Sequence, residues 1–367
     1  MSRKEKKSYP ELNRRIFVAM SGGVDSSVAA ALLKGQGFKV TGVFFKPWQP
    51  ENGIAFCNWQ KDRQDAMKVA VKLGIPFLTW DFSKEYEKKV AKYIVSSYRN
   101  GYTPNPDVMC NKEIKFGLFL KKALEHGADY IATGHYARKR EVKSKKSKIK
   151  NSEYELLKAK DENKDQTYFL WTLTQKKLKY CLFPIGDYTK PEVRQIAKKL
   201  SLLNWDKKDS QGVCFIGDLD MRGFLKEFIK PKGGIVKNLK GKIIGSHDGV
   251  AYYTIGQRHG FKINVSSDPY FVIKKDLKNN TLYVGKNKSK NSVIKLKNVS
   301  WISGKPEKSG LMIDVKIRYR NKSLPAIIKT GPKKLDLRFL KTPESATPGQ
   351  SVVIYKGQKI LGGGIII

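Results

Sequence analysis

Acidic residues are scarce in this 367-residue chain, and their shortage already restricts its class of partner. Only 33 Asp and Glu stand against 72 Lys and Arg, which leaves a formal net charge of +39. Such an excess favours a polyanionic partner, because basic side chains that neutralise phosphates release condensed counterions. The alternative is that many of the lysines only solvate the surface, as in a lysine-biased proteome. Charge therefore favours a nucleic-acid partner.

Cysteines are also few and far apart. Cys57, Cys110, Cys181 and Cys214 are separated by 53, 71 and 33 positions, so the chain has no Cys-x-x-Cys pair. This spacing excludes a disulfide framework and a structural zinc site of ordinary type. It also disfavours an iron–sulfur cluster held by Cys-x-x-Cys pairs. We expect thiols that stay reduced, as is typical of a cytosolic protein.

Long apolar runs are missing as well. No run of about 18 apolar residues occurs, so the sequence predicts no transmembrane helix and no membrane partner. The basic N-terminal segment has no apolar stretch before Ile16, which predicts no secretory signal. Hydrophobic content of 40% excludes a disordered chain. We expect a folded cytoplasmic protein of two or three domains.

The first half of the chain alternates short apolar segments with amphipathic helical stretches. This alternation is typical of βαβ units and predicts an α/β fold with a doubly wound parallel sheet. The predicted strands are 16–20, 39–45, 76–80 and 130–133, and the predicted helices are 28–34, 63–73, 84–100 and 114–126.

The pattern changes after about residue 215. Short strand-like pieces separated by turn residues follow, and from about residue 270 they predict an all-β barrel. We place domain boundaries near 218 and 285, which gives domains 1–218, 219–285 and 286–367. The basic run 139–150 predicts a mobile hairpin loop, with an electrostatic arm for RNA as the alternative.

The segment SGGVDSS at residues 21–27 lies between a predicted buried strand and a predicted helix. Backbone N–H groups in such a turn, together with a helix N-terminus, form an anion site. The glycines allow close approach of phosphate, and the serine hydroxyls add donors. The segment lacks the Gly-Lys-Ser/Thr end of a Walker A loop. A nucleotide site is favoured over a plain turn in which Asp25 or Ser26 caps the helix.

This loop resembles the PP-loop of the N-type ATP pyrophosphatases, which activate a substrate as its adenylate. Further segments resemble, in order, those of the bacterial tRNA-specific 2-thiouridylases (MnmA), from about residue 14 to the C-terminus. These segments are TPNPDVMCNKEIKF (103–116), ATGHYA (132–137), NKDQTYFL (163–170), DSQGVCFIG (209–217), YTIGQR (253–258), RYR (318–320) and TPGQS (347–351).

The resemblance implies a PP-loop domain of the adenine nucleotide alpha hydrolase type, a small central tRNA-binding domain and a C-terminal β-barrel. It also implies that ATP binds with Mg²⁺ at the first of these, and no protein metal site is expected. Phe45 stands where the family has a methionine, so we expect that contact through backbone and apolar packing. The implied ATP-binding residues are Ala19, Met20, Ser21, Gly22, Gly23, Val24, Asp25, Ser26, Phe45 and Gly134.

The resemblance further implies thiolation of the wobble uridine, position 34, in tRNAs of the Lys, Glu and Gln type. Cys214 would carry a persulfide from a cysteine desulfurase or a sulfur-relay protein, Cys110 would release the sulfur, and the two could form a transient disulfide. Asp107 would be a general acid or base. The implied tRNA-binding residues are Asn105, Pro106, Asp107, His135, Lys164, Asp165, Gln166, Arg318, Tyr319 and Gln350.

The cysteines can also be interpreted from local sequence. Cys110 follows a Pro-Asn-Pro-Asp turn and precedes a helix that we predict to start near Lys112, which predicts a lowered thiol pKa. Cys214 lies in a predicted loop. Cys57 and Cys181 are interpreted as buried small hydrophobes.

Two other functions remain open at this point. A PP-loop ligase that adenylates a small metabolite would share the fold, but it needs neither the +39 charge nor paired cysteines. A non-catalytic RNA-binding protein would explain the charge, but the complete SGGVDSS segment counts against it.

Overall fold

Three β-sheets and nine α-helices make up the part of the chain that the computed structural model describes. The described residues are 13–49, 59–143, 152–208, 220–264, 269–288, 291–330, 335–344 and 346–367. The strands are β1 (Arg15–Ala19), β2 (Lys39–Lys46), β3 (Phe77–Asp81), β4 (Tyr130–Thr133), β5 (Arg138–Lys143), β6 (Ser152–Leu157), β7 (Cys181–Leu182), β8 (Gly234–Asn238), β9 (Ile243–His247), β10 (Lys262–Ile263), β11 (Phe271–Asp276), β12 (Thr281–Gly285), β13 (Val293–Trp301), β14 (Met312–Lys316), β15 (Leu324–Thr330), β16 (Leu335–Phe339), β17 (Ser351–Lys356) and β18 (Lys359–Ile366).

Helices lie mainly in the first part of the chain. Two of them continue through π-helical segments: Glu87–Ala91 joins α3 to α4, and Asn111–Phe119 joins α5 to α6. Short 3₁₀ turns occur at Thr167–Phe169 and Val250–Tyr252. The α-helices are α1 (Val24–Gly35), α2 (Trp59–Leu73), α3 (Ser83–Tyr86), α4 (Lys92–Arg99), α5 (Pro106–Cys110), α6 (Leu120–Glu125), α7 (Gln175–Leu178), α8 (Lys190–Lys199) and α9 (Met221–Phe228).

The first sheet is parallel throughout, in the order β3-β2-β1-β4-β7. Its central strands are apolar because both faces are covered by helices, and Ile16 and Val18 are fully buried in β1. The strand order reverses between β1 and β4, and the carboxyl ends of strands at such a switch point open a crevice for ligands. The predicted α/β doubly wound fold is confirmed.

The other two sheets are built largely of antiparallel strands. The second has the order β10-β9-β8-β12-β11, and its one parallel pair is β8 with β12. In the third, strands β13-β16-β15-β14-β17-β18 close on themselves because β13 also pairs with β18. The predicted C-terminal β-barrel is thus confirmed, and alternate residues such as Val315 and Leu337 fill its core.

The β5–β6 hairpin connects the parallel-sheet unit to the barrel. Strands β5 and β6 pair with each other, and Leu157 of β6 also pairs with Lys359 of β18. The carboxylate of Glu155 accepts hydrogen bonds from Arg140 within the hairpin and forms an ion pair of 3.0 Å with Lys359. Residues 139–143 of the run 139–150 belong to β5, so the prediction of a loop is wrong for them, because they pair with β6. The rest of that run lies outside the described residues. Within the described ranges, no helix is both long and apolar enough to cross a bilayer.

Two predicted helices begin earlier than expected. The first begins at Val24 instead of residue 28, so the glycine-rich loop leads directly into it. The helix predicted from residue 114 begins at Pro106, because Asn105 accepts a hydrogen bond from Val108 N at 3.1 Å and Pro106 occupies the first helical position. Both signals are present in the sequence, although the paired prolines by themselves predict a turn.

Candidate active site

The loop after β1 forms a tight turn that leads into α1. Gly22 has a φ of +75°, and a Cβ atom there would lie 2.2 Å from the carbonyl oxygen of Asp62, so only glycine fits. Gly23 is the N-cap, and no described side chain caps this helix. The alternative in which Asp25 or Ser26 caps α1 is therefore wrong. The first N–H groups of α1 and the positive end of its dipole are available to an anion.

Hydroxyl groups hold this loop in shape from within. Ser26 Oγ donates to Gly23 O at 3.1 Å and accepts from Ser21 N at 3.2 Å, while Ser27 Oγ donates to Gly23 O at 3.0 Å. The buried side chain of Asn204 donates to Gly22 O at 2.9 Å and to Ser27 Oγ at 3.0 Å. Asn204 was missed in the sequence, because nothing local to it indicates that it lies beside a loop so far away in the chain.

A buried lysine reaches the same loop. Lys190 Nζ donates to Asp25 Oδ1 at 2.7 Å, and only 11% of the lysine side chain is exposed. The hydroxyl of Tyr136 donates to the same carboxylate oxygen at 2.8 Å. Thr189 and Glu192 form a capping box that starts α8 and fixes the position of Lys190. This helix places an ammonium group beside a loop that has no lysine of its own, and sequence reasoning missed it.

The end of β4 lies directly against the loop. A Cβ atom on Gly134 would lie 2.6 Å from Ser26 N, so this glycine allows β4 and the start of α1 to touch. The next residue, His135, is buried, and its Nδ1 lies 2.8 Å from Thr133 Oγ1. Burial, with a smaller contribution from Lys115, holds the pKa of His135 well below its usual range, so the ring is neutral. Its contact with tRNA stays a prediction.

The remaining implied ATP residues line the carboxyl edge of the sheet. Ala19 ends β1, and Met20 and Val24 are buried beside the loop. Phe45, near the end of β2, is buried with its ring 4.8 Å from that of Phe119 and 5.5 Å from that of Phe82. Its side chain therefore packs on the π-helical segment that follows Cys110.

Cys110 lies in the second turn of its helix and is fully buried. The expectation that it stands at the start of a helix near Lys112 is wrong, because α5 begins at Pro106. Asp107 is half-buried in the first turn, and its carbonyl accepts a hydrogen bond from Asn111 Nδ2 at 3.0 Å. The π-helical segment after Cys110 widens the helix, a distortion that is frequent at functional sites.

Three parts of the chain meet at the segment before this helix. The side-chain amide of Gln350, from the barrel, donates to Thr103 O at 3.0 Å and to Pro104 O at 3.1 Å. The backbone N–H of Thr103 donates to Pro348 O at 2.9 Å. The hydroxyl of Thr254, from the second sheet's unit, lies 3.1 Å from the hydroxyl of Thr103. Residues 103 and 104 are thus held by both β units.

The other implied tRNA residues surround this junction. Arg318 donates to Thr347 Oγ1 at 2.9 Å, and the rings of Tyr319 and Phe169 lie 4.4 Å apart. Asp165 is buried, accepts a hydrogen bond from Thr167 Oγ1 at 2.8 Å and lies 3.6 Å from Lys316 Nζ. Its carboxylate is therefore used within the protein. Gln166 and Lys164 are half-buried beside it, and the amide oxygen of Gln166 accepts from Tyr136 N at 3.0 Å.

The other cysteines divide into two groups. Cys181 is fully buried, as predicted, and burial raises the pKa of its thiol to about 12. Cys57 and Cys214 lie outside the described residues, so the predicted approach of Cys214 to Cys110 stays a prediction.

The parallel sheet, the glycine-serine loop at its switch point and the two β units that follow define an enzyme of the PP-loop superfamily. Three family models match consecutive stretches of the chain: "tRNA methyl transferase HUP domain" at residues 14–218, "tRNA methyl transferase PRC-barrel domain" at 222–286 and "Aminomethyltransferase beta-barrel domain" at 291–366. The chain belongs to the tRNA-specific 2-thiouridylase (MnmA) family and is a tRNA sulfurtransferase that binds ATP and tRNA.

Curated relatives named tRNA-specific 2-thiouridylase align with this chain over nearly their whole length. The tRNA-specific 2-thiouridylase of Geobacillus thermodenitrificans is 44% identical over 359 residues, which cover 96% of this chain and 94% of the relative. That of Bacillus licheniformis is 45% identical over 362 residues, with the same two coverages of 96% and 94%. Among solved structures, a 4-thiouridine synthetase–RNA complex with bound ATP aligns with a TM-score of 0.34 and 17% identity, covering 56% of this chain and 46% of that one.

Proposed function

We propose that the protein replaces the C2 oxygen of the wobble uridine of tRNA by sulfur, consuming ATP and releasing AMP and pyrophosphate. The observation that carries this proposal is the connection between the phosphate loop and the Cys110 helix. Gly134 packs on the loop, the adjoining His135 ring lies 5.7 Å from the ring of Phe116, and Phe116 belongs to the π-helical segment after Cys110. This series of contacts supports an adenylating site and a thiol at the same edge of the sheet.

The first half-reaction is adenylation of the base. The N–H groups of residues 22–26 would hold the ATP phosphates, and Lys190 would stabilise negative charge on the α-phosphate as the C2 oxygen attacks and pyrophosphate leaves. Asp25 orients the lysine through its 2.7 Å contact. Mg²⁺ prefers phosphate oxygens with one or two carboxylates, which fits a loop whose one acidic residue is Asp25.

The second half-reaction transfers sulfur. A donor of the cysteine desulfurase or sulfur-relay type leaves a persulfide on Cys214. The Cys110 thiolate attacks the Cys214 sulfur atom, which releases hydrosulfide and leaves a Cys110–Cys214 disulfide. Hydrosulfide then displaces AMP from C2, and Asp107 accepts the proton that the incoming sulfur loses as the C2–sulfur double bond forms. A dithiol reductant then restores the two thiols and is itself oxidised to a disulfide.

Transfer RNA of the Lys, Glu or Gln type supplies the base, in the cytoplasm. The anticodon base must leave its stack, which costs a few kcal/mol that contacts with the tRNA body offset. Domains 219–285 and 286–367 provide those contacts, with residues 271–310 carrying ten Lys against two acids. If about six phosphates are neutralised, the log–log salt slope of binding is roughly −4 to −5.

The decisive experiment separates the two half-reactions. Cys214→Ser should abolish 2-thiouridine formation but leave tRNA-dependent pyrophosphate release intact, because adenylation needs the phosphate loop and no thiol. Cys181→Ser, in a buried position, is the matched control and should retain both activities. Normal thiolation by Cys214→Ser would remove that residue from the mechanism, and pyrophosphate release without tRNA would favour a small-metabolite substrate.

A further inference from the structure

The side-chain amide of Gln350 uses both of its N–H donors in hydrogen bonds within the protein. An amide nitrogen carries two hydrogens, and its two acceptors here are Thr103 O at 3.0 Å and Pro104 O at 3.1 Å. Only the amide oxygen remains to meet any further partner. A direct hydrogen bond to a tRNA phosphate, which accepts but does not donate, would therefore require Gln350 to give up one of these two bonds.

The two carbonyls that Gln350 holds lie immediately before the Cys110 helix. Pro104 is bonded to Asn105, whose side chain caps the helix by accepting from Val108 N. Pro104 and Pro106 fix their own φ angles, so the segment has few ways to absorb a displacement. A shift at residue 104 therefore passes to Asp107 and Cys110.

The support on the barrel side is rigid. Gln350 O accepts from Ile366 N at 3.0 Å, and the neighbouring Gly349 N donates to Ile366 O at 2.9 Å, so this turn is bound to the closing strand β18. Gly349 has a φ of +93°, and a Cβ atom there would lie 2.7 Å from Thr103 N. The backbone of the barrel turn therefore lies in direct contact with the backbone of the segment before the Cys110 helix. A turn bound to a closed sheet positions such a segment more precisely than a loop does.

We propose that Gln350 is a positioning residue, through which the C-terminal barrel sets the place of the Cys110 helix in the active site. The significance for sulfur transfer rests on the function proposed above. The hydroxyl contact of Thr254 with Thr103 is a second, weaker support of the same segment from the central unit.

Gln350→Glu tests the proposal, because it keeps the shape but turns a carboxylate oxygen toward two carbonyl oxygens. Gln358→Glu is the matched control: it is exposed, lies in the β17–β18 turn of the same barrel and makes the same change in charge. With saturating tRNA, we expect the thiolation kcat of Gln350→Glu to fall about tenfold to a hundredfold. Its Kd for tRNA should match that of the control within about threefold.

A second readout does not depend on activity. Cys110 is fully buried, so its alkylation by a maleimide requires the helix segment to open. Peptide mapping should show faster alkylation of Cys110 in Gln350→Glu and, to a smaller extent, in Thr254→Val. In Gln358→Glu the rate should equal that of the parent protein.

Two results would overturn the proposal. The first is a loss of tRNA affinity in Gln350→Glu beyond that of Gln358→Glu, with unchanged kcat, which would make Gln350 a tRNA contact. The second is an unchanged Cys110 alkylation rate in both Gln350→Glu and Thr254→Val. If the parent protein forms no 2-thiouridine, the proposed function fails, whereas the alkylation comparison still decides whether Gln350 positions the helix.

Discussion

The phosphate loop and the Cys110 helix are held in place in opposite ways. The loop is shaped mainly by its own residues, since Ser26 and Ser27 donate back to Gly23 within one turn. The segment before Cys110 is held from outside, by Gln350 of the barrel and Thr254 of the central unit. The described contacts of the loop come from the parallel-sheet unit, whereas the segment before Cys110 is also contacted by the barrel and by the central unit.

This difference separates the two chemical steps. A nucleotide fold can bind ATP with local contacts, whereas in the function proposed above the Cys110 thiol must meet an anticodon base and so depends on the domains proposed to hold the tRNA. Damage to the barrel should therefore impair sulfur transfer while ATP binding persists. Damage to the loop should impair ATP binding, and with it thiolation, while tRNA binding persists.

The largest effect is expected from Gly22→Ala. Its φ of +75° and the 2.2 Å approach of its Cβ to Asp62 O force the loop out of shape. We expect ATP affinity to fall roughly a hundredfold, with tRNA affinity retained. Gly241→Ala is the control, since its φ is +84° but nothing lies within 4 Å of its Cβ. Calorimetric titration with ATP checks this, and equal affinities would reduce the loop to a simple turn.

Gly349→Ala should produce the complementary pattern. Its Cβ would meet Thr103 N and O at 2.7 and 2.8 Å, so the segment before Cys110 must move. Thiolation should fall at least about tenfold while ATP affinity stays normal. Gly357→Ala, with a φ of +58° and open space at its Cβ, controls for backbone strain. Loss of ATP binding in Gly349→Ala would show that the two regions are not independent.

Lys190→Gln should have an intermediate effect. The substitution leaves the Asp25 carboxylate without its ammonium partner beside the bound phosphates, which repels them. We expect kcat/KM for ATP to fall roughly tenfold. Lys160→Gln is the control, because it removes the same charge from the exposed ion pair between Lys160 and Glu192, a residue on the same helix as Lys190. It should change kcat/KM for ATP little. A steady-state comparison at saturating tRNA decides, and identical values for both variants would contradict the role of Lys190.

The smallest effect concerns acid stability. Because burial lowers the pKa of His135 in the folded state, the unfolded chain binds a proton more readily below about pH 6.5. The stabilisation is therefore complete above that pH and is lost as pH falls, by about 1.4 kcal/mol per pH unit. His135→Gln should flatten the dependence of the free energy of unfolding on pH between about pH 5 and 6.5. Parallel curves for variant and parent, measured by urea unfolding, would contradict a neutral buried histidine.

The phosphate loop was accessible to sequence reasoning because its chemistry is contiguous. SGGVDSS follows an apolar strand and precedes a helix, so fold class and anion site were both predicted and the fold is confirmed. Its N-cap was not predicted correctly, because Ser26 donates back to Gly23 O instead of accepting from the helix. Gly134 and Asn204 contact the loop from distant parts of the chain, and no local pattern indicates these contacts.

Sequence by itself determined the alternation of strands and helices, the barrel and the order of motifs, because each rests on local periodicity and turn chemistry. Tertiary structure decided that Lys190 reaches Asp25, that His135 is buried and neutral, and that Gln350 holds the carbonyls before the Cys110 helix. These contacts join residues up to 247 positions apart, and no local pattern encodes which side chains a closed barrel and a parallel sheet bring together. Hydrophobic periodicity fixes which face of each element is buried, whereas the packing of whole units fixes what each polar group meets there.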